Sequence, residues 1–304
     1  MAMRLLIDCD PGQDDAAALL LAAASPEFDL VAVTTVAGNV PAPQTAANAR
    51  RVLDLAGRAD VPVHEGAAAP LVFPLGTAEF VCGPDGLAGA DLPPPSRPPE
   101  REAAALAIIR AAEAGPLTVA ALGPLTNLAL ALRLAPQIAS RIERLAVMGG
   151  ARDLGNMTPA AEFNFWVDPH AAAIVLGAGV PLALFGLHLT HKAVPEAEEL
   201  AALAAAGRAG AVVHAMMTRP RPGGLGAARH PFHDPCVIGW LLRPGLFSGR
   251  DCFVEVETGD GALRGRTTID WNGRLGRAAN ALVMGEMDRA GFFALLAERL
   301  ARLE

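Results

Sequence analysis

Short apolar segments and alanine-rich segments alternate along most of this sequence. The runs FDLVAVTTVAG and LTVAALG each precede a segment of helical composition, PQTAANARRVLDLAG and PLTNLALALRLAP respectively, and the alternation continues through RIERLAVMGG, DPHAAAIVLGAG and PLALFGLHLT. Parallel strands need a crossover connection between them, and that connection is usually a helix. The pattern therefore predicts an α/β fold with an open, mostly parallel central sheet and helices on both faces.

Two segments interrupt this alternation. Residues 70–99 are rich in proline and glycine and predict a long loop, which is typical of lids, binding loops or disordered segments. Near the carboxyl end, RDCFVEVETGDGALRGRTTIDW predicts two strands around a Gly-Asp-Gly turn, a β-hairpin that either edges the sheet or makes a subunit contact. Because no linker or internal repeat is evident, we expect residues 1–304 to form a single α/β catalytic domain.

The composition argues against several classes of partner. The 304 residues have a formal net charge of −7, and their lysines and arginines are scattered singly, without the basic stripe that nucleic-acid binding requires. The charges within MAMRLLIDCDPG come too early for a signal peptide, and no uninterrupted apolar stretch approaches ~18 residues. The cysteines form no CxxC pair, which predicts neither a zinc site nor disulfides. We therefore expect a cytoplasmic protein without a nucleic-acid or membrane partner.

The stretch DCDPGQDD crowds carboxylates near the start of the chain. It follows an apolar run that predicts a strand ending at Asp8 or Asp10, and it precedes DDAAALLLAAAS, which predicts a helix. In α/β sheets, ligands bind where a strand leads into a helix in this way. Asp14 and Asp15 could simply cap the helix. However, Asp10, Asp14 and Asp15 on one turn repel each other unless a cation or a hydroxyl-rich ligand lies between them, so we interpret the stretch as a binding site.

Polar side chains also follow other predicted strands. They occur in TVAGN with Asn39, ALGPLTN from Leu122 to Asn127, GNMTPAAEFN with Asn156, Glu162 and Asn164, and HPFHDP with His233 and Asp234. Because parallel strands end at one rim of the sheet, we expect these side chains to meet the acidic stretch. With DCDPGQDD, the AEFN and HDP segments in this order and spacing resemble the calcium-dependent inosine-uridine nucleoside hydrolases. The resemblance is firm from Arg4 to about Pro235 and weak beyond it.

The resemblance implies a reaction and a cofactor. Members of the family cleave the N-glycosidic bond of purine or pyrimidine ribonucleosides, giving free base and ribose through an oxocarbenium-like transition state. The chemistry requires water at the anomeric carbon, and a calcium ion with about six to eight oxygen ligands can orient both this water and the ribose diol. The implied partner is a small-molecule nucleoside. Relatives form dimers or tetramers, so a homodimer or homotetramer is the expected assembly.

The resemblance also implies roles for individual residues. The calcium ligands would be the carboxylates of Asp10, Asp15 and Asp234 and the main-chain carbonyl of Leu122. Asp10 would, in addition, be the base for the calcium-bound water. The substrate-binding residues would be Asp14 near the ribose 2′-hydroxyl, Asn156 and Glu162 toward the 5′ end, Met148 beneath the sugar, and Asn39 and Asn164 on the other hydroxyls.

Recognition of the base is the part of the site that the resemblance leaves most open. His233 matches a catalytic histidine that, in one subgroup, assists the departing base as an acid, but a histidine beside Asp234 also suits a structural role. Cys82 stands where many relatives have a histidine, so the sequence does not decide between purines and pyrimidines. An ordinary thiol is expected there rather than a nucleophile, because no adjacent base is evident. Position 188, commonly acidic in relatives, is His188.

Aromatic and basic residues near these motifs allow two interpretations each. Phe163, Phe165 and Trp166 could cover the nucleobase or belong to the core. His191 could be functional or a structural hydrogen-bonding group. A Pro-Gly-rich stretch before His233 predicts either a flap near the base or a solvated loop, and its basic residues are Arg219, Arg221, Arg229 and His230.

Two other functions are possible. Asp8 and Asp10 imitate the opening of haloacid-dehalogenase-like phosphatases, but Pro11 stands where those enzymes have threonine or valine, and AEFN stays unexplained. A non-catalytic calcium-dependent ribose- or nucleoside-binding protein could use the same oxygen cluster, and Asp10→Asn would distinguish binding from hydrolysis. We favour hydrolysis of nucleosides over nucleotides, because Glu162 near the 5′ position would repel a phosphate.

Overall fold

The structure is a computed structural model that describes residues 2–219 and 230–303. The strands in these ranges are β1 (Met3–Cys9), β2 (Phe28–Thr35), β3 (Val63–Glu65), β4 (Leu117–Ala121), β5 (Ile142–Met148), β6 (Leu182–Phe185), β7 (Phe247–Cys252), β8 (Val254–Val256), β9 (Thr267–Ile269) and β10 (Ala281–Met287). The helices are α1 (Gln13–Ala23), α2 (Ala42–Leu55), α3 (Glu79–Cys82), α4 (Ala104–Glu113), α5 (Thr126–Leu134), α6 (Phe163–Val167), α7 (Pro169–Leu176), α8 (Leu187–Thr190), α9 (Ala197–Ala204), α10 (Gly207–Thr218), α11 (Pro235–Leu242) and α12 (Arg289–Leu300). Short 3₁₀ turns follow α5 and α11.

One large sheet organises the described residues, with strand order β3-β2-β1-β4-β5-β6-β10-β7. All neighbouring strands are parallel except β10 and the edge strand β7, which are antiparallel. The predicted open, mostly parallel sheet is confirmed. The chain adds β2 and β3 on one side of β1 and then continues with β4 on the other side. The space outside the carboxyl ends of β1 and β4 is therefore a topological switch point, where such sheets bind ligands.

Helices cover both faces of the sheet because successive side chains of a strand point to opposite sides. Leu5 and Ile7 of β1 pack into one apolar core with α1, α2 and α9 to α12. Leu6, between them, packs into a second core with α4, α5 and α7. Strands buried on both faces are apolar along their whole length, which explains why the runs in the sequence are continuous rather than alternating.

The turn between β1 and α1 brings the acidic stretch to the rim of the sheet. β1 ends at Cys9, between the two ends that the sequence predicted, and α1 begins at Gln13. Asp15, in the first turn of α1, accepts a hydrogen bond from the Gly12 N–H at 3.0 Å and so satisfies a backbone donor at the helix N-terminus. Helix α1 packs against α2, α10 and α11.

The predicted C-terminal hairpin is confirmed with different boundaries. β8 and β9 pair antiparallel as a separate two-stranded sheet, with Val254 opposite Ile269. Residues 250–252, at the start of the predicted hairpin, instead belong to β7 at the edge of the main sheet. A loop of residues 257–266 connects β8 to β9, where a tight turn was predicted, and the N–H groups of Glu257 and Gly265 close it by bonding Arg266 and Glu257.

The stretch from residue 70 to residue 99 is a long loop, as predicted, interrupted by the short helix α3. Hydrogen bonds attach it to the body of the protein. The Leu71 N–H donates to Asp168 Oδ2 at 2.9 Å, and Asn48 Nδ2 donates to the Asp85 carbonyl at 2.8 Å. In the described part of the chain, no helix has both the length and the apolar character needed to cross a bilayer.

Candidate active site

A cavity of about 210 Å³ lies at the switch point, outside the carboxyl ends of β1, β4 and β5. The structure brings all of the residues that the sequence predicted for the site into its lining, namely Asp10, Asp14, Asp15, Asn39, Leu122, Met148, Asn156, Glu162, Asn164, His233 and Asp234. The parallel topology explains this convergence, since most of these residues follow a strand whose carboxyl end faces the same rim.

Asp10 is held in one orientation by its neighbours. The Asn39 N–H donates to Asp10 Oδ2 at 2.7 Å. A Cβ atom at Gly38 would lie 2.1 Å from Oδ2, and one at Gly123 would lie 2.4 Å from Oδ1. Only glycine leaves room for the carboxylate at these two positions. The sequence reasoning missed both glycines, and the signal for them was their place beside predicted site residues, Asn39 and Leu122.

Asp15 and Asn39 fasten the turn that carries Asp10. Asp15 Oδ1 accepts from the Asp10 N–H at 3.1 Å, and Asp15 Oδ2 accepts from Asn39 Nδ2 at 3.2 Å. Asn39 Nδ2 also donates to the Asp10 carbonyl at 3.1 Å. Asp15 thus bonds the N–H group of Asp10, and Asn39 bonds its carbonyl group. The position of Asp10 is therefore fixed by α1 and by the segment after β2.

Asp8, the first carboxylate of the acidic stretch, is outside the cavity lining. It is fully buried, and its Oδ1 accepts from Thr34 Oγ1 at 2.6 Å and from Asn127 Nδ2 at 2.8 Å. Asn127 Nδ2 also donates to the Thr35 carbonyl at 2.9 Å. Asp8 therefore ties the ends of β1, β2 and the start of α5 together beneath the site.

Three carboxylates lie close enough to share a cation. Atoms of Asp14, Asp15 and Asp234 are within 4.8 Å of one another, whereas Asp10 lies outside this closest set. Burial and the charges of Asp14 and Asp15 raise the pKa of Asp234 well above its usual value, and burial raises the pKa of Asp15. Buried carboxylates at this spacing repel each other unless a proton or cation intervenes. Donors that are all oxygen suit a hard divalent cation such as calcium.

Glu162 stands at the N-terminus of α6 and organises the opposite side of the cavity. Its Oε1 accepts from the Asn164 N–H at 2.9 Å, and its Oε2 accepts from the Gly150 N–H at 3.0 Å and the Phe165 N–H at 3.2 Å. Burial nevertheless raises the pKa of Glu162 to about 7. The bonds hold its carboxylate rigidly against the helix terminus.

Asn164 and Asn156 extend from the same segment. Asn164 Nδ2 donates to the Leu122 carbonyl at 2.7 Å and to the Met148 carbonyl at 3.2 Å, so it joins the ends of β4 and β5. The carbonyl of Leu122, predicted as a calcium ligand, therefore already accepts one hydrogen bond. Asn156 Oδ1 accepts from the Phe163 N–H at 2.9 Å, which fixes the loop before α6.

Helix α3, the end of α10 and three histidines line the rest of the cavity. The side chains are Phe80, Val81, Cys82, Met217, His191, His230 and His233. Burial raises the pKa of the Cys82 thiol to about 12, so this cysteine is a thiol and not a thiolate at neutral pH. His233 Nδ1 bonds Thr190 Oγ1 at 2.7 Å, and its ring centroid is 5.6 Å from that of His191.

The aromatic residues around AEFN divide between the two interpretations. Phe163 lines the cavity, whereas Phe165 is fully buried in the core. Trp166 stacks on the guanidinium group of Arg264, with the guanidinium carbon 4.4 Å from the ring centroid. His188 is outside the cavity lining, and its Nδ1 accepts from the Arg152 N–H at 3.3 Å.

The stretch before His233 is described only at its ends. Arg219 donates from Nη1 to the Ala88 carbonyl, and His230 Nε2 lies 3.1 Å from the Arg219 carbonyl oxygen. Arg221 and Arg229 lie outside the described residues. The sequence reasoning also missed Gln13, inside the acidic stretch, and Phe80 and Met217, outside the motifs, because a single apolar or amide side chain in a loop or helix has no distinctive spacing.

Known proteins resemble this chain over nearly its whole length, in sequence and in structure. The sequence profile of the inosine-uridine preferring nucleoside hydrolases matches residues 5–294. The pyrimidine-specific ribonucleoside hydrolase RihA of Citrobacter koseri is 44% identical over 308 residues, covering 99% of each chain. A plant nucleoside hydrolase superposes with a TM-score of 0.90 at 33% identity over 99% of each chain. A purine-preferring ribonucleoside hydrolase from Gardnerella vaginalis superposes with a TM-score of 0.88 at 29% identity, over 99% of this chain and 98% of that one.

Proposed function

This chain belongs to the inosine-uridine preferring nucleoside hydrolase family and is a hydrolase of N-glycosyl compounds, and we propose that it cleaves ribonucleosides to free base and ribose with calcium as cofactor. The observation that carries the proposal is the meeting of Asp10, the three close carboxylates and the Glu162–Asn164 segment in one cavity. We further propose that pyrimidine ribonucleosides are the better substrates, because the pyrimidine-specific relative is more similar in sequence than the purine-preferring one.

Calcium would be held by Asp10, Asp15, Asp234 and the carbonyl oxygen of Leu122, with Asp14 directed at the ribose 2′-hydroxyl. The closeness of Asp14, Asp15 and Asp234 supports a cation at this place, and their oxygen donors are those that calcium prefers. When bound, the ion orients ribose hydroxyls and makes water more acidic. The same cation would offset the burial and the mutual repulsion that together raise the pKa of Asp234.

Asp10 is proposed as the general base that takes a proton from the attacking water. Burial, followed by the charge of Asp15, raises the pKa of Asp10 well above its usual value, and a bound calcium ion would lower it again and leave the carboxylate ionised. A base works best when its orientation is already set and its proton affinity is high enough to accept the proton. The backbone bond from Asn39 and the flanking glycines supply the orientation.

The ribose is proposed to lie between Asp10 and α6. Asn39, Asn164 and Met148 would contact the ring and its hydroxyls, and Asn156 and Glu162 would meet the 5′ end. A carboxylate there disfavours a 5′-phosphate, which supports nucleosides over nucleotides as substrates. Hydrogen bonds to sugar hydroxyls that strengthen in the transition state would add to catalysis.

His233 is proposed to assist the departing base as an acid. Its ring lines the cavity, and the bond to Thr190 sets the direction of the ring. The neighbouring His191 lies edge-on to it. An imidazole near neutral pH can donate a proton to a base nitrogen as the N-glycosidic bond breaks.

We also propose that residues 1–304 act as one catalytic domain and that the protein is a homodimer or homotetramer. Size-exclusion chromatography with light scattering would test the assembly. A monomer at the concentrations used for catalysis would contradict this part of the proposal.

The test of the reaction is release of free base and ribose from uridine, cytidine, inosine and adenosine. Each substrate is incubated with calcium-loaded protein, with chelated and dialysed protein, and with the chelated protein after calcium is restored. We expect release that is lost on chelation and restored by calcium, with uridine or cytidine ahead of the purines. Faster inosine cleavage would overturn the pyrimidine preference alone.

Two further arms address the competing functions. Phosphate release from uridine 5′-monophosphate with magnesium, without nucleoside cleavage, would favour a phosphatase. Calorimetric binding of ribose by folded, calcium-loaded protein that cleaves no nucleoside would favour a binding protein. Cleavage of the 5′-monophosphate as fast as the nucleoside would contradict the place given to Glu162.

A further inference from the structure

The loop between β8 and β9, residues 257–266, packs against the segment that carries Glu162 and Asn164. Ala161 and Arg266 form an isolated antiparallel bridge. A Cβ atom at Gly265 would lie 2.5 Å from Cα of Trp166, so the two backbones are in direct contact. The β8–β9 hairpin therefore supports the segment that carries Glu162 and Asn164 on one side of the cavity.

Arg264 is the side chain that this loop inserts into the body of the protein. It is 9% exposed, and its guanidinium carbon lies 3.8 Å from the ring centroid of Phe73 and 4.4 Å from that of Trp166. Arg264 Nη2 donates to the Val167 carbonyl at 3.0 Å, whereas its Nε has no partner among the described residues. A buried arginine is costly, and its flat guanidinium is suited to stacking on aromatic rings.

Neither ring lines the cavity, but each belongs to a segment with other residues that do. Trp166 lies in α6, in the same short segment as Glu162 and Asn164. Phe73 lies in the long loop that continues to α3, whose Phe80, Val81 and Cys82 line the cavity. Arg264 thus joins the hairpin, α6 and the long loop at one point.

We infer that Arg264 is a positioning residue. It aligns α6 with the long loop so that cavity residues from both segments contact the same bound nucleoside. The inference rests on the proposed function, which places the ribose beside α6, and it adds that the base lies on the α3 side. It also gives the C-terminal hairpin a role inside the subunit. The aromatic stacking and the bond to Val167 fix the guanidinium plane, which a flexible apolar side chain would not do.

The experiment compares Arg264→Met with Arg277→Met. Arg277, which lies between β9 and β10, is the control: its guanidinium carbon also stacks on a ring, 3.7 Å from the Phe253 centroid, and it pairs with Glu255 of β8 at 3.0 Å, but its side chain is 58% exposed. The measurements are kcat and KM for the best nucleoside, calcium affinity by calorimetry, and hydrogen exchange of residues 70–77 and 162–168. Phe73→Leu removes one stacking partner and serves as a second variant.

For Arg264→Met we expect KM to rise about tenfold and kcat to change less, because misplacement of binding groups weakens substrate positioning first. Exchange should accelerate in both segments, calcium affinity should stay constant, and Phe73→Leu should shift KM in the same direction by less. Arg277→Met should resemble the wild type. If Arg264→Met does not fold, Phe73→Leu carries the comparison.

Two results would overturn the inference. One is unchanged exchange and KM in the Arg264 or Phe73 variant, and the other is an equal effect in Arg277→Met. Wild-type protein that cleaves no nucleoside would instead contradict the proposed function. In that case the exchange measurements still decide whether Arg264 couples the two segments.

Discussion

The cavity has two walls that are built differently. The acidic wall, defined here as Asp10, Asp15, Asn39, Glu162 and Asn164, consists of side chains that accept from or donate to several backbone groups, and Asp10 and Asp15 are each 1% exposed. The outer wall, defined as Phe80, Val81, His191 and Met217, comes from α3, α10 and the turn after α8, and Phe80 is 55% exposed.

The difference separates two tasks. A reacting group must keep its orientation within a fraction of an ångström, and bonds to backbone atoms of several elements provide that. Recognition of one base or another needs only a surface of suitable shape, which loops on a rigid scaffold can supply. We therefore expect substitutions in the acidic wall to reduce kcat and substitutions in the outer wall to change KM and base preference.

The largest effect is expected for Asp10→Asn. The amide keeps the shape of the side chain but cannot accept the proton, so kcat should fall about 10³-fold while the fold is retained. Initial rates of ribose release and thermal unfolding measure the two properties. Asp153→Asn, at an exposed aspartate outside the cavity lining, should leave the rate unchanged. A variant at Asp10 that keeps a tenth of the activity would remove Asp10 from the role of base.

The next effect is expected for Gly123→Ala, which changes no charged group. The added Cβ would lie 2.4 Å from Asp10 Oδ1 and must displace the carboxylate, so kcat should fall about 10²-fold. Gly245→Ala is the control, because a Cβ there meets no atom within 4 Å. If Gly123→Ala raised KM and left kcat intact, the account of the acidic wall as the wall of catalysis would be wrong.

A smaller effect is expected in the outer wall for Phe80→Ala. Loss of the aromatic surface should raise KM about three- to tenfold and leave kcat within about twofold, because the ring contacts ground state and transition state alike. Val72→Ala is the matched control, since Val72 is an exposed apolar residue of the same long loop outside the cavity lining. If Phe80→Ala lowered kcat as much as Gly123→Ala does, the two walls would not have separate tasks.

The smallest effect is expected outside both walls, at His188. Burial lowers the pKa of His188 to about 4 from an ordinary value of 6.5, so the unfolded chain binds a proton more readily than the native protein. Its contribution to stability is therefore lost as the pH falls from 6.5 toward 4. As the pH falls from 6.5 to 4, the melting temperature of His188→Gln should decrease less than that of the wild type, and kcat at pH 7 should be unchanged. An equal loss in both proteins would show that His188 does not titrate as its burial indicates.

Local patterns in the sequence were sufficient for the elements and for the membership of the site. Apolar runs followed by alanine-rich segments predicted β1, β2, β4 and the helices after them, because strand and helix periods depend on neighbouring residues. The residues predicted for the site share one rim because parallel strands end on the same side of a sheet. The boundaries of the C-terminal hairpin were predicted less well, since whether residues 250–252 join it or the main sheet depends on the position of β10.

The sequence by itself thus determined the α/β class, the acidic stretch and those cavity residues that lie in the AGN, AEFN and HDP segments and their neighbours. Only the tertiary structure decided that Asp14 joins the closest carboxylates, that Gly38 and Gly123 enclose Asp10, and that Arg264 stacks between Phe73 and Trp166. These contacts join segments far apart in the chain. Their geometry depends on strand order and loop packing, and no local spacing of residue types encodes either.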